Sequence, residues 1–168
     1  YNFDKDFENN IFDDVELNLK LEQVSDETYL KANKVESPII KNQSNLSNSL
    51  GLNMYKKDLT INTNLDVYED LTKNDSYKYE YVPNFSFSKV INDNYSFNSQ
   101  GYYKNYNTNI TEKVLINNLE FQSDLKYFDN GLINEKKVIF KNINTDAKNS
   151  VDFKDKDTTS IIPSIQNN

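Results

Sequence analysis

The strongest constraint on this chain is a two-residue alternation of apolar and polar side chains. Across residues 58–68 the odd positions are Leu59, Ile61, Thr63, Leu65 and Val67, while Asp58, Thr60, Asn62, Asn64, Asp66 and Tyr68 fill the even ones. Successive side chains of a strand point to opposite faces, so this pattern predicts a strand with one apolar and one wet face. Residues 14–23 repeat it, with Val15, Leu17, Leu19 and Leu21 set against Asp14, Glu16, Asn18, Lys20 and Glu22. Residues 77–88 repeat it with Tyr77, Tyr79, Tyr81, Pro83, Phe85 and Phe87 in phase. Residues 46–54 and 95–103 alternate more loosely, and Leu115, Leu119, Phe121 and Leu125 stay in phase across Asn117 and Ser123. No helical period competes.

Short polar breaks at residues 69–75, 92–94 and 128–131 separate these stretches. With only 3 Gly in the chain, Asn and Asp must make most of the turns, since both tolerate positive φ and hydrogen-bond their own backbone. Tyr55-Lys56-Lys57-Asp58 reads as a tight hairpin turn, and strands joined so briefly pair antiparallel. Pro83 lies mid-strand and lacks a backbone donor, so that strand is expected to be bulged or broken there. After Asn144 a polar loop through Asp155-Lys156-Asp157 leads to a new apolar start at Ile161 and Ile162. No domain boundary or repeat is visible, and residues 1–168 read as one domain, an internal piece that opens at Tyr1 in a polar loop.

Only 36% of residues are apolar and the mean hydropathy is -0.81, a polarity that suits disorder. Twelve Tyr and ten Phe argue for ordered strands instead. The net charge of -7, with all 19 basic residues Lys, is unsuited to a nucleic-acid backbone. Cys and His are absent, which removes thiol chemistry, disulfides, ordinary zinc sites and His-based acid–base catalysis. No stretch approaches the roughly 20 apolar residues of a membrane helix.

No catalytic, cofactor or metal residue emerges. Asp4, Asp6, Glu8, Asp13 and Asp14 offer the hard oxygens that calcium favours, but without the Gly and closing Glu of a calcium loop they read as a solvated acidic loop. Asp152, Asp155 and Asp157 alternate with Lys154 and Lys156, a pattern of solvated surface. Glu80 and Glu112 have no second carboxylate at defined spacing for hydrolysis. Ser25-Asp26 and Ser37-Pro38 are loop formers, with no His to activate a serine. The Tyr77, Tyr79 and Tyr81 stripe could stack on sugar rings, although such stripes more often pack against lipid or core.

A membrane barrel fits these strands better than a soluble sandwich. Their lengths approach the roughly 9 to 11 residues that cross a bilayer at a tilt, the polar faces are rich in uncharged Asn, Ser and Thr, and aromatics gather near strand ends. The expected fold class is therefore all-β, an antiparallel meander of long strands forming part of a transmembrane β-barrel.

The segment Leu21-Glu22-Gln23-Val24-Ser25-Asp26-Glu27-Thr28-Tyr29-Leu30 resembles the SD-x-TYL strand and loop near the barrel start of the LptD family of LPS-assembly proteins. A polar loop and a strand with Leu46, Ser49 and Leu50 follow, as in alphaproteobacterial members. Tyr68-Glu69-Asp70-Leu71, then Tyr79-Glu80-Tyr81-Val82-Pro83 leading to Phe85 and Phe87, come next in order. Gly101-Tyr102-Tyr103-Lys104-Asn105-Tyr106, Leu115-Ile116-Asn117-Asn118-Leu119 and Lys141-Asn142-Ile143-Asn144 are similar to later parts of that barrel. The order is collinear over roughly residues 13–145. The resemblance implies an outer-membrane barrel that receives lipopolysaccharide from periplasmic bridge proteins and delivers it to the outer leaflet. It implies a plug lipoprotein, LptE, as partner, and structural disulfides outside this stretch. A porin or receptor barrel, or a soluble β-sandwich for adhesion or carbohydrate binding, would share the alternation but not the ordered motifs.

Overall fold

A computed structural model describes residues 2–6, 11–39, 41–73, 78–106 and 109–167. The chain is all-β. Its main element is a nine-stranded antiparallel sheet in the order β1-β2-β3-β4-β5-β6-β7-β10-β11, in which each strand lies beside its neighbour in sequence apart from one small hairpin. The strands are β1 (Asn2–Asp6), β2 (Asp14–Lys20), β3 (Asn45–Lys56), β4 (Leu59–Asp70), β5 (Tyr79–Asn92), β6 (Tyr95–Tyr106), β7 (Ile110–Gln122), β10 (Lys136–Lys148) and β11 (Thr158–Asn167). A short hairpin, β8 (Lys126–Tyr127) with β9 (Ile133–Asn134), and a helix, α1 (Tyr29–Asn33), complete the described structure.

Two connections at one end of the sheet are as tight as hairpins can be. Lys56 pairs with Leu59 across Lys57-Asp58, and Lys57 takes φ 45°, the left-handed conformation that short hairpin loops require. Asp13 Oδ2 accepts the Lys57 N–H at 2.6 Å and pins that turn. At Asp93-Asn94, Asn92 Oδ1 accepts the N–H groups of both Asn94 and Tyr95 at 2.9 Å. The other end carries the 21–44 and 149–157 connections.

Several expectations need correction. Residues 2–6 form a strand, where a polar loop was expected; every described side chain of β1 is exposed, as suits a charged sheet edge. The strand through Asn144 continues to Lys148, so the polar loop begins later, and β11 opens at Thr158, ahead of the expected start at Ile161 and Ile162, which lie inside it. Leu125 falls beyond the end of β7. The break expected at Pro83 is present, without a bulge, in the ladder to β6 alone, the ladder to β4 being continuous. Tyr81 pairs with Asn105 and Asn84 with Tyr102, with no pairing for Val82 or Pro83 between them, while the register shift sits at Val90/Asn92. In this sheet Pro83 is at a position whose backbone N faces β6, so the missing donor opens the ladder at that point.

Cross-strand partners share a face, so the register sorts every side chain. One row runs Val15, Met54, Ile61, Phe87, Ser99, Asn117, Asn142, Ile161, and another Leu59, Lys89, Phe97, Leu119, Phe140, Pro163. On β2 to β5 this face is mainly apolar over its height. On β6, β7 and β10 it stays continuously apolar only near the tight-turn end, with Tyr103 and Leu115 as separate apolar positions farther along. Among the described residues the buried apolar side chains are Leu30, Leu46, Leu71, Val114 and Ala147, whereas Leu50, Leu65, Phe85, Leu115, Leu119 and Phe140 are exposed on the apolar face.

Candidate functional site

Two carboxylate anchors, Glu22 half-buried and Glu112 buried, hold the long connections against the sheet. In the 21–44 connection, the Glu22 carboxylate accepts the Ser37 hydroxyl at 2.7 Å and the N–H groups of Ile39 at 3.0 Å and Ser47 at 2.8 Å. Its own N–H donates to Asn48 Oδ1 at 2.7 Å. Ser37 and Ser47 are buried, so their bonds to Glu22 satisfy donors that water does not reach. Leu30 of α1 packs with Leu46, Leu71 and Val24 beneath this loop. Lys78 then ties the loop to the sheet by ion pairs of 2.9 Å to Glu27 and 2.8 Å to Glu69. Hydrogen bonds from Lys78 to Glu69 and Glu27 raise its ammonium above the ordinary lysine range. Asp26 accepts the Thr28 hydroxyl and, at 2.8 Å, its N–H, and these bonds lower its pKa. Ser25-Asp26 and Ser37-Pro38 are thus loop builders.

Glu112 is the second anchor, 3% exposed. It accepts the Ser150 hydroxyl at 2.7 Å, and Ser150 Oγ in turn accepts the N–H groups of Asp152 and Phe153. Glu80 lies on β5, with β6 between it and Glu112, so the topology does not bring these carboxylates together as neighbours.

The gap at Pro83 opens onto a groove of about 720 Å³. From the apolar-patterned face it is lined by Phe85, Tyr103, Lys113, Leu115, Asn144 and Asp146. A Cβ on Gly101 would sit 2.8 Å from the Phe85 ring and 2.7 Å from the Val114 carbonyl, so the ring covers this glycine directly and only glycine leaves it room. Lys113 pairs with Asp146 at 2.7 Å. A hydrogen bond to Asp146 raises the pKa of Asp157, at the end of the 149–157 connection.

Beside the groove the apolar face carries a polar seam. Ser99 Oγ donates to Asn117 Oδ1 at 2.7 Å, Asn117 Nδ2 to Asn142 Oδ1 at 3.2 Å, Asn144 Nδ2 to the same oxygen at 2.6 Å, and Thr159 Oγ1 to Asn144 Oδ1 at 3.0 Å. On the opposite face of the same strands Val114, Ile116 and Ile143 replace polar residues, so the polarity of the sheet inverts in this corner.

The other sequence candidates are dispersed. Asp4 and Asp6 are on β1, Asp14 begins β2, Asp13 holds a turn, and Glu8 lies outside the described residues. Among the described residues no three metal-binding side chains gather. Tyr79 and Tyr81 share the apolar face with ring centroids 6.5 Å apart; Tyr77 lies outside the described residues. Sequence reasoning missed Glu22, whose partners are far along the chain, and missed Tyr103, Lys113, Asn144 and Asp146 as a group, because the groove is assembled by register across β5, β6, β7, β10 and β11 and no local motif marks it. Comparison with family profiles, with curated proteins and with solved structures returned no match.

Proposed function

We propose that the sheet is a wall segment of a transmembrane β-barrel in the outer membrane, and that the barrel serves lipopolysaccharide assembly. The observation that carries the barrel reading is the uncovered apolar face. The chain exposes 11684 Å², against about 8600 Å² expected of a folded monomer of this mass. That excess calls for a second layer, and lipid is the layer a long antiparallel meander is built to meet. β3 to β7 have 12 to 14 residues, or about 30 Å of height at the tilt of a barrel strand. Tyr95 and Phe121 pair near the tight-turn end, ring centroids 5.0 Å apart, where an aromatic girdle would lie.

The assignment to lipopolysaccharide assembly rests on the ordered motifs between residues 13 and 145. In that role the segment acts with a plug lipoprotein and periplasmic bridge proteins, and does no catalysis. The polar seam at mid-height favours a second reading, a soluble sandwich in which another protein layer covers this face.

Gel migration of the full-length protein with and without boiling tests the barrel. Folded barrel should migrate differently from the boiled sample, and a detergent-soluble form that never shifts would sink the membrane reading. Depletion in cells then tests the cargo: lipopolysaccharide at the cell surface should fall, whereas a porin or receptor would leave it unchanged.

A further inference from the structure

We infer that the groove beside Pro83 is a binding site for neutral saccharide. In a sheet in water the inference applies directly; in a membrane wall it requires the groove, which lies toward the end opposite the tight turns, to stand at or beyond the headgroup level and not in the hydrocarbon. Three structural causes make the groove. Pro83 interrupts the β5–β6 ladder, Gly101 contributes no side chain, and Phe85 lies over that glycine. The result is a floor of Phe85, Tyr103 and Leu115, each between 37% and 40% exposed. Half-exposed rings on one face of the sheet, with Leu115 beside Gly101, offer apolar surface to a ligand that is itself apolar on one side.

The polar groups at the border set the rest of the chemistry. Asn144 uses one of its two amide donors on Asn142 and accepts one hydrogen bond from Thr159, which leaves a second donor and further acceptor capacity. Lys113 and Asp146 add donors and acceptors, with side chains 55% and 47% exposed. A ligand that stacks on rings and exchanges hydrogen bonds around its edge is a pyranose. Anionic ligands are disfavoured because the groove's lysine is already paired with Asp146, Asp157 lines the same groove and the chain carries a net charge of -7. A hydrocarbon chain would strip water from Lys113, Asp146 and Asn144 with nothing in return. The volume of about 720 Å³ lies within the range of small-ligand sites.

Native electrophoresis of the full chain through gels cast with neutral glucans, mannans, galactans or xylans tests this directly. Retardation by at least one of them is expected, with about tenfold weaker binding for Tyr103→Ala and near-normal binding for Tyr103→Phe. In wild-type protein, amide shifts on adding an oligosaccharide of the retarding type should centre on residues 83–85, 101–103 and 113–115, a readout that needs no variant to fold. No retardation by any of the four classes, shifts that avoid the groove, equal binding by Tyr103→Ala, or stronger retardation by alginate would overturn the inference. Failure here leaves boiling-dependent migration unaffected, and the converse holds, so the two readings fall separately.

Discussion

Glu22 shows how one side chain can fix a loop. Its carboxylate meets three donors, the Ser37 hydroxyl and two backbone N–H groups, and the hydroxyl is out of reach of water. Glu22→Ala removes the acceptor and leaves these donors unpaired, at about 1–3 kcal/mol for the buried one. Urea unfolding should therefore show a loss of about 2–3 kcal/mol, with Glu22→Gln in between because its amide keeps one acceptor oxygen. An unchanged midpoint for Glu22→Ala would show that the loop closes without this carboxylate. In the sequence Glu22 looks like one more polar position of an alternating strand. Its role depends on Ser37 and Ser47, 15 and 25 residues away, and nothing local announces it. Asp26 was legible because its partner Thr28 is two residues on.

At the scale of the element, Pro83 was readable in advance because the consequence of a missing N–H is local. The break follows from one absent donor, and the groove from that break together with Gly101 and the Phe85 ring over it. Pro83→Val restores a donor facing β6 and a residue suited to strands. The ladder should close between Tyr81 and Asn84, raising stability by about 1 kcal/mol and slowing exchange of the new amide; exchange at the rate of an open loop would refute this account. Other elements were harder to read for equally physical reasons. β10 contains the run Val138-Ile139-Phe140 and β7 the run Val114-Leu115-Ile116. Both mark where the apolar side changes from one face to the other, so the two-residue period is lost although the strand continues. β1 is an edge with Asp4, Lys5 and Asp6, whose polarity matches that of a loop. α1 has five residues, too few for a helical period to appear.

For the molecule as a whole, the question is what covers the apolar face, and the seam at its centre decides between lipid and water. Asn117 and Asn142 stand mid-strand on that face, joined by a 3.2 Å hydrogen bond. Facing lipid, two amides are costly even when bonded to each other, because each keeps donor or acceptor capacity that hydrocarbon cannot meet. Replacing both partners together avoids stranding one of them, while Ser99 and Asn144 each lose one acceptor, which offsets part of the gain. In a barrel, Asn117→Leu with Asn142→Leu should raise resistance to urea in detergent or lipid vesicles by about 1 kcal/mol or more. In a water-covered sheet the same pair widens an apolar patch already bordered by Leu119 and Phe140, and should promote association with no gain in stability. The tight-turn end supplies the control: Leu119→Asn should destabilise a lipid-facing wall and improve the solubility of a water-facing one. Opposite signs for the seam and the control in lipid, stabilising at Asn117 and Asn142 and destabilising at Leu119, are what the barrel requires. The reverse pair of signs would leave the meander without a membrane and assign its uncovered face to a protein layer.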